Sequence, residues 1–66
     1  MRPLRYRILC FAMANLSTAM QEVRKAICHA HRVGLNDTAD RLCRAESELR
    51  QAWNEIEQES EKEERP

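Results

Sequence analysis

Apolar residues recur along this chain with a seven-residue period. Leu9, Leu16, Val23 and Ala30 lie seven apart, and Ala12, Ala19, Ala26 and Val33 follow each by three. Met13, Met20 and Ile27 come one residue later again. The second half repeats the scheme with Leu35, Leu42, Leu49 and Ile56, then Ala45 and Ala52, then Ala39 and Trp53. These are the a, d and e positions of a heptad, the signature of amphipathic helices that pack on one another. Between the halves stands the only turn-like cluster, Gly34-Leu35-Asn36-Asp37. Gly34 suits the left-handed residue that closes a helix, and Leu35 the apolar contact that follows it. Asp37 suits an N-cap, and Pro3 suits the first turn of helix 1. The pattern predicts an all-α, single-domain helical hairpin: helix 1 over residues 3–33, a turn at 34–37, helix 2 over 38–62, and an acidic tail at 61–66 that frays.

Antiparallel pairing sets a against d. A register in which facing residue numbers sum to 75 leaves room for the turn. It places Ala19 opposite Ile56, Val23 opposite Ala52, Ala26 opposite Leu49 and Val33 opposite Leu42. Each layer pairs one large residue with one small, which fills space without voids; Ala30 opposite Ala45 is the exception. A register one heptad shorter alternates equally well but squeezes the turn.

Such a hairpin leaves apolar positions over. Met13, Met20, Ile27 and Trp53 flank the seam at e, and Cys10 and Cys43 flank it at b, so the apolar arc is as wide as that of a bundle helix with two neighbours. Ile8 belongs to a second surplus. The run Ile8–Ala14 is apolar nearly all round, yet it lies beside the polar final turns Glu57-Gln58-Glu59-Ser60-Glu61. The sequence therefore predicts a homodimeric four-helix bundle with Ile8, Cys10, Met13, Met20, Ile27, Cys43 and Trp53 at the dimer interface. What the dimer leaves uncovered at the open end, with Arg5, Tyr6, Arg7, Phe11 and Met13 as contacts and Arg2 beside them, is the predicted binding surface for another protein. Interfaces favour aromatic and arginine anchors, and methionine adapts to irregular surfaces.

Composition narrows the function classes. The chain has 66 residues, one glycine and 42% hydrophobic residues. A single glycine excludes the P-loop, the dinucleotide fingerprint and the nucleophile elbow. A chain this short buries only about 60% of its unfolded surface, which itself favours self-association. Eleven basic and eleven acidic residues cancel overall, but residues 1–33 carry a net +5 and residues 34–66 a net −5. Zero net charge and an acidic second helix oppose phosphate binding, although Arg24, Lys25, His31 and Arg32 form a modest basic face. Cys28-His29-Ala30-His31 is the most metal-like stretch, but a structural zinc site needs four ligands, and no second pair stands near it. Catalysis by Cys28 with a histidine would need an enclosed pocket that a two-helix layer does not offer. No metal, cofactor or catalytic residue is expected, and the chain reads as a non-enzyme.

Three cysteines without a close pair predict reduced, buried or half-buried thiols and a cytoplasmic location. Arg2, Arg5 and Arg7 ahead of an apolar run imitate a secretory leader. The run is too short to supply both the apolar core and the Ala12-Met13-Ala14 cleavage site. No stretch approaches the roughly 20 apolar residues of a membrane span, and no membrane partner is expected.

The plan over residues 4–60 resembles the Rop-type plasmid copy-number regulators, short helical hairpins with large–small core layers that dimerise into four-helix bundles. The resemblance is architectural and carries over no RNA-contacting residue. The chain is also similar to small accessory proteins encoded by bacteriophages that bind and disable a host protein, such as anti-CRISPR proteins and anti-activators of transcription. These resemblances imply a regulator or inhibitor that acts by covering a partner's surface, with an RNA- or DNA-binding regulator as the alternative.

Overall fold

The computed structural model describes residues 3–64, and of residue 64 the backbone only. Arg2 and the end of the tail, residues 65 and 66, lie outside the described residues. Helix α1 spans Leu4–Arg32 and helix α2 spans Asn36–Glu64, 29 residues each. They pack antiparallel as an all-α hairpin of 51 × 14 × 10 Å, a slab one helix thick. Helix α2 continues through residue 64 where the sequence predicted fraying from 61.

The connection is tighter than the sequence reading allowed. Gly34, at φ +78°, donates to the His31 carbonyl at 3.1 Å, and Leu35 donates to the Ala30 carbonyl at 2.8 Å. This is the paired closure of a Schellman motif, and it satisfies two carbonyls that the end of α1 would otherwise leave open. Helix α2 begins at once: the Leu35 carbonyl accepts from the Ala39 amide at 2.9 Å. Leu35, not Asp37, therefore occupies the N-cap. Asp37 stands inside the first turn, where its charge still meets the positive end of the helix dipole. At the other end Pro3 precedes α1 in extended conformation (φ −64°, ψ 155°). Its carbonyl accepts from Tyr6 and Arg7.

The short turn shifts the register. Arg24 bonds Glu46, and the Ser60 hydroxyl lies 4.0 Å from the Met13 sulfur. A register summing to 75 would have put Glu46 opposite His29 and Ser60 opposite Asn15. The rotation of the helices differs as well. The buried residues are Ala30, Ala39 and Ser60, with Ala39 at 0% exposure. Half-buried residues run along α1 as Leu9, Met13, Leu16, Met20, Val23 and Ile27, and along α2 as Leu42, Glu46, Leu49, Trp53 and Ile56. Ala45, predicted to sit in the seam, is exposed. Ala26, predicted to face Leu49, is half-buried at its edge. The cause is area. Turning Met, Ile and Trp toward the partner helix removes more apolar surface from water than turning alanine there, at about 25 cal/mol per Å². Of the residues assigned to a dimer interface at e, Met13 meets Ser60 across the seam, and Met20, Ile27 and Trp53 are half-buried in the single hairpin.

Ser60 belongs to the polar final turns of α2. It is 7% exposed, and its hydroxyl donates to the Glu57 carbonyl at 2.8 Å, which meets the need of a buried hydroxyl.

Two outcomes follow from this packing. Nothing lies within 4 Å of a Cβ built on Gly34, so Gly34→Ala meets only the backbone cost of a left-handed residue. That cost is about 1 kcal/mol, and it lowers the melting temperature by roughly 4–8 °C for a domain of this size. A D-alanine introduced by synthesis leaves the melting temperature at or above wild type. Ala39→Leu overpacks a fully enclosed position and costs about 1–3 kcal/mol, whereas Gln51→Leu on the exposed side of α2 changes stability little. Urea unfolding followed by circular dichroism compares the pair.

Candidate protein-interaction surface

At the open end of the hairpin, Leu4, Ile8 and Phe11 recur four and three residues apart and so line one stripe of α1. All three are exposed, at 67%, 55% and 62%. An open groove of about 390 Å³ lies beside them, walled by Leu4, Arg5, Ile8 and Leu9. The stripe stays bare because α2 covers only the seam side of α1, and its last turns present carboxylates there.

Those carboxylates hold Arg5. Its Nη2 donates to Glu59 Oε2 at 3.1 Å and its Nε donates to Glu63 Oε1 at 2.6 Å. The guanidinium spans two turns of α2 and ties the two chain ends together. Glu59 also accepts from Lys62 at 3.2 Å. Lys62 first, and Arg5 after it, hold the Glu59 carboxyl below its ordinary pKa of 4.5.

The five residues predicted to contact a target are therefore not equivalent. Phe11 and Arg7 are exposed, and Arg7 has no ion partner among the described residues. Arg5 is engaged with Glu59 and Glu63. Tyr6 is half-buried and has a partner of its own. Met13 is half-buried in the seam against Ser60. The available surface is Leu4, Arg7, Ile8 and Phe11. Leu4 was missed, though its four-residue spacing from Ile8 was visible in the sequence. Val33 and Leu35, at 72% and 53% exposure, form a second apolar spot at the turn.

Of the other predicted interface residues, Ile8 and Cys43 are exposed and Cys10 is half-buried. Cys28 is exposed too, so two of the three thiols are less covered than the sequence suggested. All three are free. Cys28, His29 and His31 are exposed, with His31 Nδ1 3.3 Å from Asn36 Oδ1. Among the described residues, no three His, Cys, Asp or Glu side chains gather as a metal site would require. No helix among them is long and apolar enough to cross a membrane.

A second polar cluster closes one flank of the seam. Glu46 accepts from Arg24 across the hairpin at 3.2 Å and from Arg50 one turn along α2. Its side chain retains 14% exposure. Partial burial pushes the Glu46 carboxyl up, but the bonds and charges of Arg50 and Arg24 outweigh it and hold the pKa below 4.5. The indole Nε1 of Trp53 is buried without a hydrogen-bond partner among the described residues.

No protein-family model, no curated protein and no solved structure matches the chain.

The lowered Glu46 pKa gives a pH dependence with a definite sign. A carboxyl whose folded pKa is depressed contributes stability above its unfolded value of about 4.5 and loses it as pH falls through the folded value. Wild type should therefore outlast Glu46→Gln in thermal melts at pH 7, and the gap should narrow at pH 3. A gap that stays constant across that range would show that the Arg24–Glu46–Arg50 cluster adds nothing through charge.

Proposed function

We propose that this protein is a non-enzymatic, homodimeric interaction module. It binds another protein at the open end of the hairpin and regulates or inhibits that partner by covering its surface. The observation that carries this reading is the exposed Leu4–Ile8–Phe11 stripe with Arg7 beside it. An exposed apolar patch rimmed by charge marks an interaction site, and aromatic and arginine side chains are the residues that anchor interfaces. The hairpin clamps its own ends through Arg5, so the stripe is presented on a preorganised helix, which lowers the entropy cost of binding. The architecture suits a phage-encoded inhibitor of a host protein acting in the cytoplasm.

A Rop-like RNA- or DNA-binding regulator is the alternative, and the geometry supports it less. Of the basic face on α1, Arg24 is bonded to Glu46 and Lys25 to Glu22. That leaves little uncommitted positive charge to track a phosphate backbone.

The test uses tagged wild type and a Phe11→Ala, Arg7→Glu double variant as bait in candidate host lysates, with bound proteins identified by mass spectrometry. Both substitutions lie at exposed positions, so helicity should be unchanged. A specific protein captured by wild type and lost by the variant supports the reading. Capture that survives the double substitution puts the binding surface elsewhere, and an enriched nucleic acid in place of a protein favours the alternative.

A further inference from the structure

The hairpin has two unlike sides, and its ion pairs identify which residues lie on each. Cys10, Ser17, Arg24 and His31 recur every seven residues on α1, as do Ala39, Glu46, Trp53 and Ser60 on α2. The Arg24–Glu46 bond sets these two stripes against each other. This side is closed: Ala39 and Ser60 are buried and Glu46 is held by two arginines.

On the other side, Arg5, Ala12, Ala19, Ala26 and Val33 recur every seven residues on α1, and Thr38, Ala45, Ala52 and Glu59 on α2. The Arg5–Glu59 bond sets this second pair of stripes side by side. Here the surface is open. Ala45 and Val33 are exposed, and Ala12, Ala19, Ala26 and Ala52 are only half-buried. Leu16, Val23, Leu49 and Ile56, next to these stripes, are half-buried too. Among the described residues, no large side chain is fully buried.

We propose that this alanine-lined side is the dimer face, occupied by a second copy of the chain. The two hairpins are related by a two-fold axis perpendicular to their length, passing near Ala19 and between Ala45 and Ala52. The proposal rests on the homodimer reading above and specifies its geometry. It sets the dimer face on the side opposite the Glu46 cluster, away from Met13, which meets Ser60 across the seam.

Three observations select a second copy as the occupant. The face is two helices wide, so a two-helix layer matches it, and its small side chains let that layer approach closely. Ala19 and the midpoint of Ala45 and Ala52 lie at about the same height between the Arg5–Glu59 and Arg24–Glu46 contacts. One axis therefore serves both helices, laying Ala12 near the partner's Ala26 and Ala45 near the partner's Ala52.

Charge supplies the third observation. Arg41, Glu48 and Glu55 form the exposed stripe of α2 next to Ala45 and Ala52, and none has an ion partner among the described residues. Arg41 and Glu55 lie on opposite sides of the axis at nearly equal distance. The two-fold therefore sets Arg41 against the partner's Glu55, twice per dimer. Only Glu48, near the axis, meets its own copy.

Sedimentation equilibrium at tens of micromolar tests this, with circular dichroism as the check on folding. Wild type should give about twice the 7.8 kDa chain mass. Ala45→Glu should give a helical monomer, because Ala45 is exposed in the single hairpin. Arg41→Glu and Glu55→Arg should each weaken dimerisation at least about tenfold, the effect of like charges facing across an interface. The double variant should restore it, and Glu48→Gln should tighten it. A dimer that tolerates Ala45→Glu and shows no rescue by the charge swap overturns this face while leaving homodimerisation standing. A wild-type monomer overturns both.

Discussion

Two helices side by side enclose little. Each has a single neighbour, so large side chains in the seam keep one edge in water, and among the described residues only the small Ala30, Ala39 and Ser60 are covered. The rest of the structure follows from that shortfall. The helices turn their widest apolar residues toward each other, the turn is drawn in to its minimum length, and charged residues close the gaps that apolar residues cannot. A chain of this size has little stability to spare, and a hairpin with an open apolar side gains most from a further layer.

Polar residues divide the work of closing the hairpin. Glu46 stands where a heptad would place an apolar residue, and it is tolerated because Arg24 and Arg50 satisfy it from both helices. A lone carboxylate there would be costly. Arg5 does a comparable task at the open end, where its fork matches carboxylates on successive turns of α2. Both clusters are exposed enough that their value is specificity of register more than bulk stability. They hold the helices at one height and one rotation, so the Leu4–Ile8–Phe11 stripe and the alanine-lined side become defined surfaces.

The two surfaces suit the two proposed associations differently. The alanine-lined side is broad, smooth and nearly self-matching, as a symmetric association requires. The open-end stripe is narrow, with a large aromatic and an uncommitted arginine, as a hot spot for a foreign partner requires. A dimer built on the first would leave Phe11 and Arg7, on the outer part of α1, available to the second.

Sequence alone determined the helices, the hairpin and its turn residue, because a seven-residue apolar period and a single central glycine leave the backbone few other choices. Ile8 and Phe11 were legible as surplus, since the facing turns of α2 carry only polar side chains. Register and rotation were not legible. Leu9, Leu16 and Val23 can be paired with alanine on one side or with methionine and isoleucine on the other, and both choices satisfy the same heptad. The tertiary structure set the rotation that buries Ala39, lays Met13 against Ser60 and joins Arg24 to Glu46. That choice drew Met13 into the seam, tied Arg5 to Glu59 and Glu63, and left Ala45 in the open. None of these outcomes is a property of either helix taken singly; each depends on which faces of two helices meet.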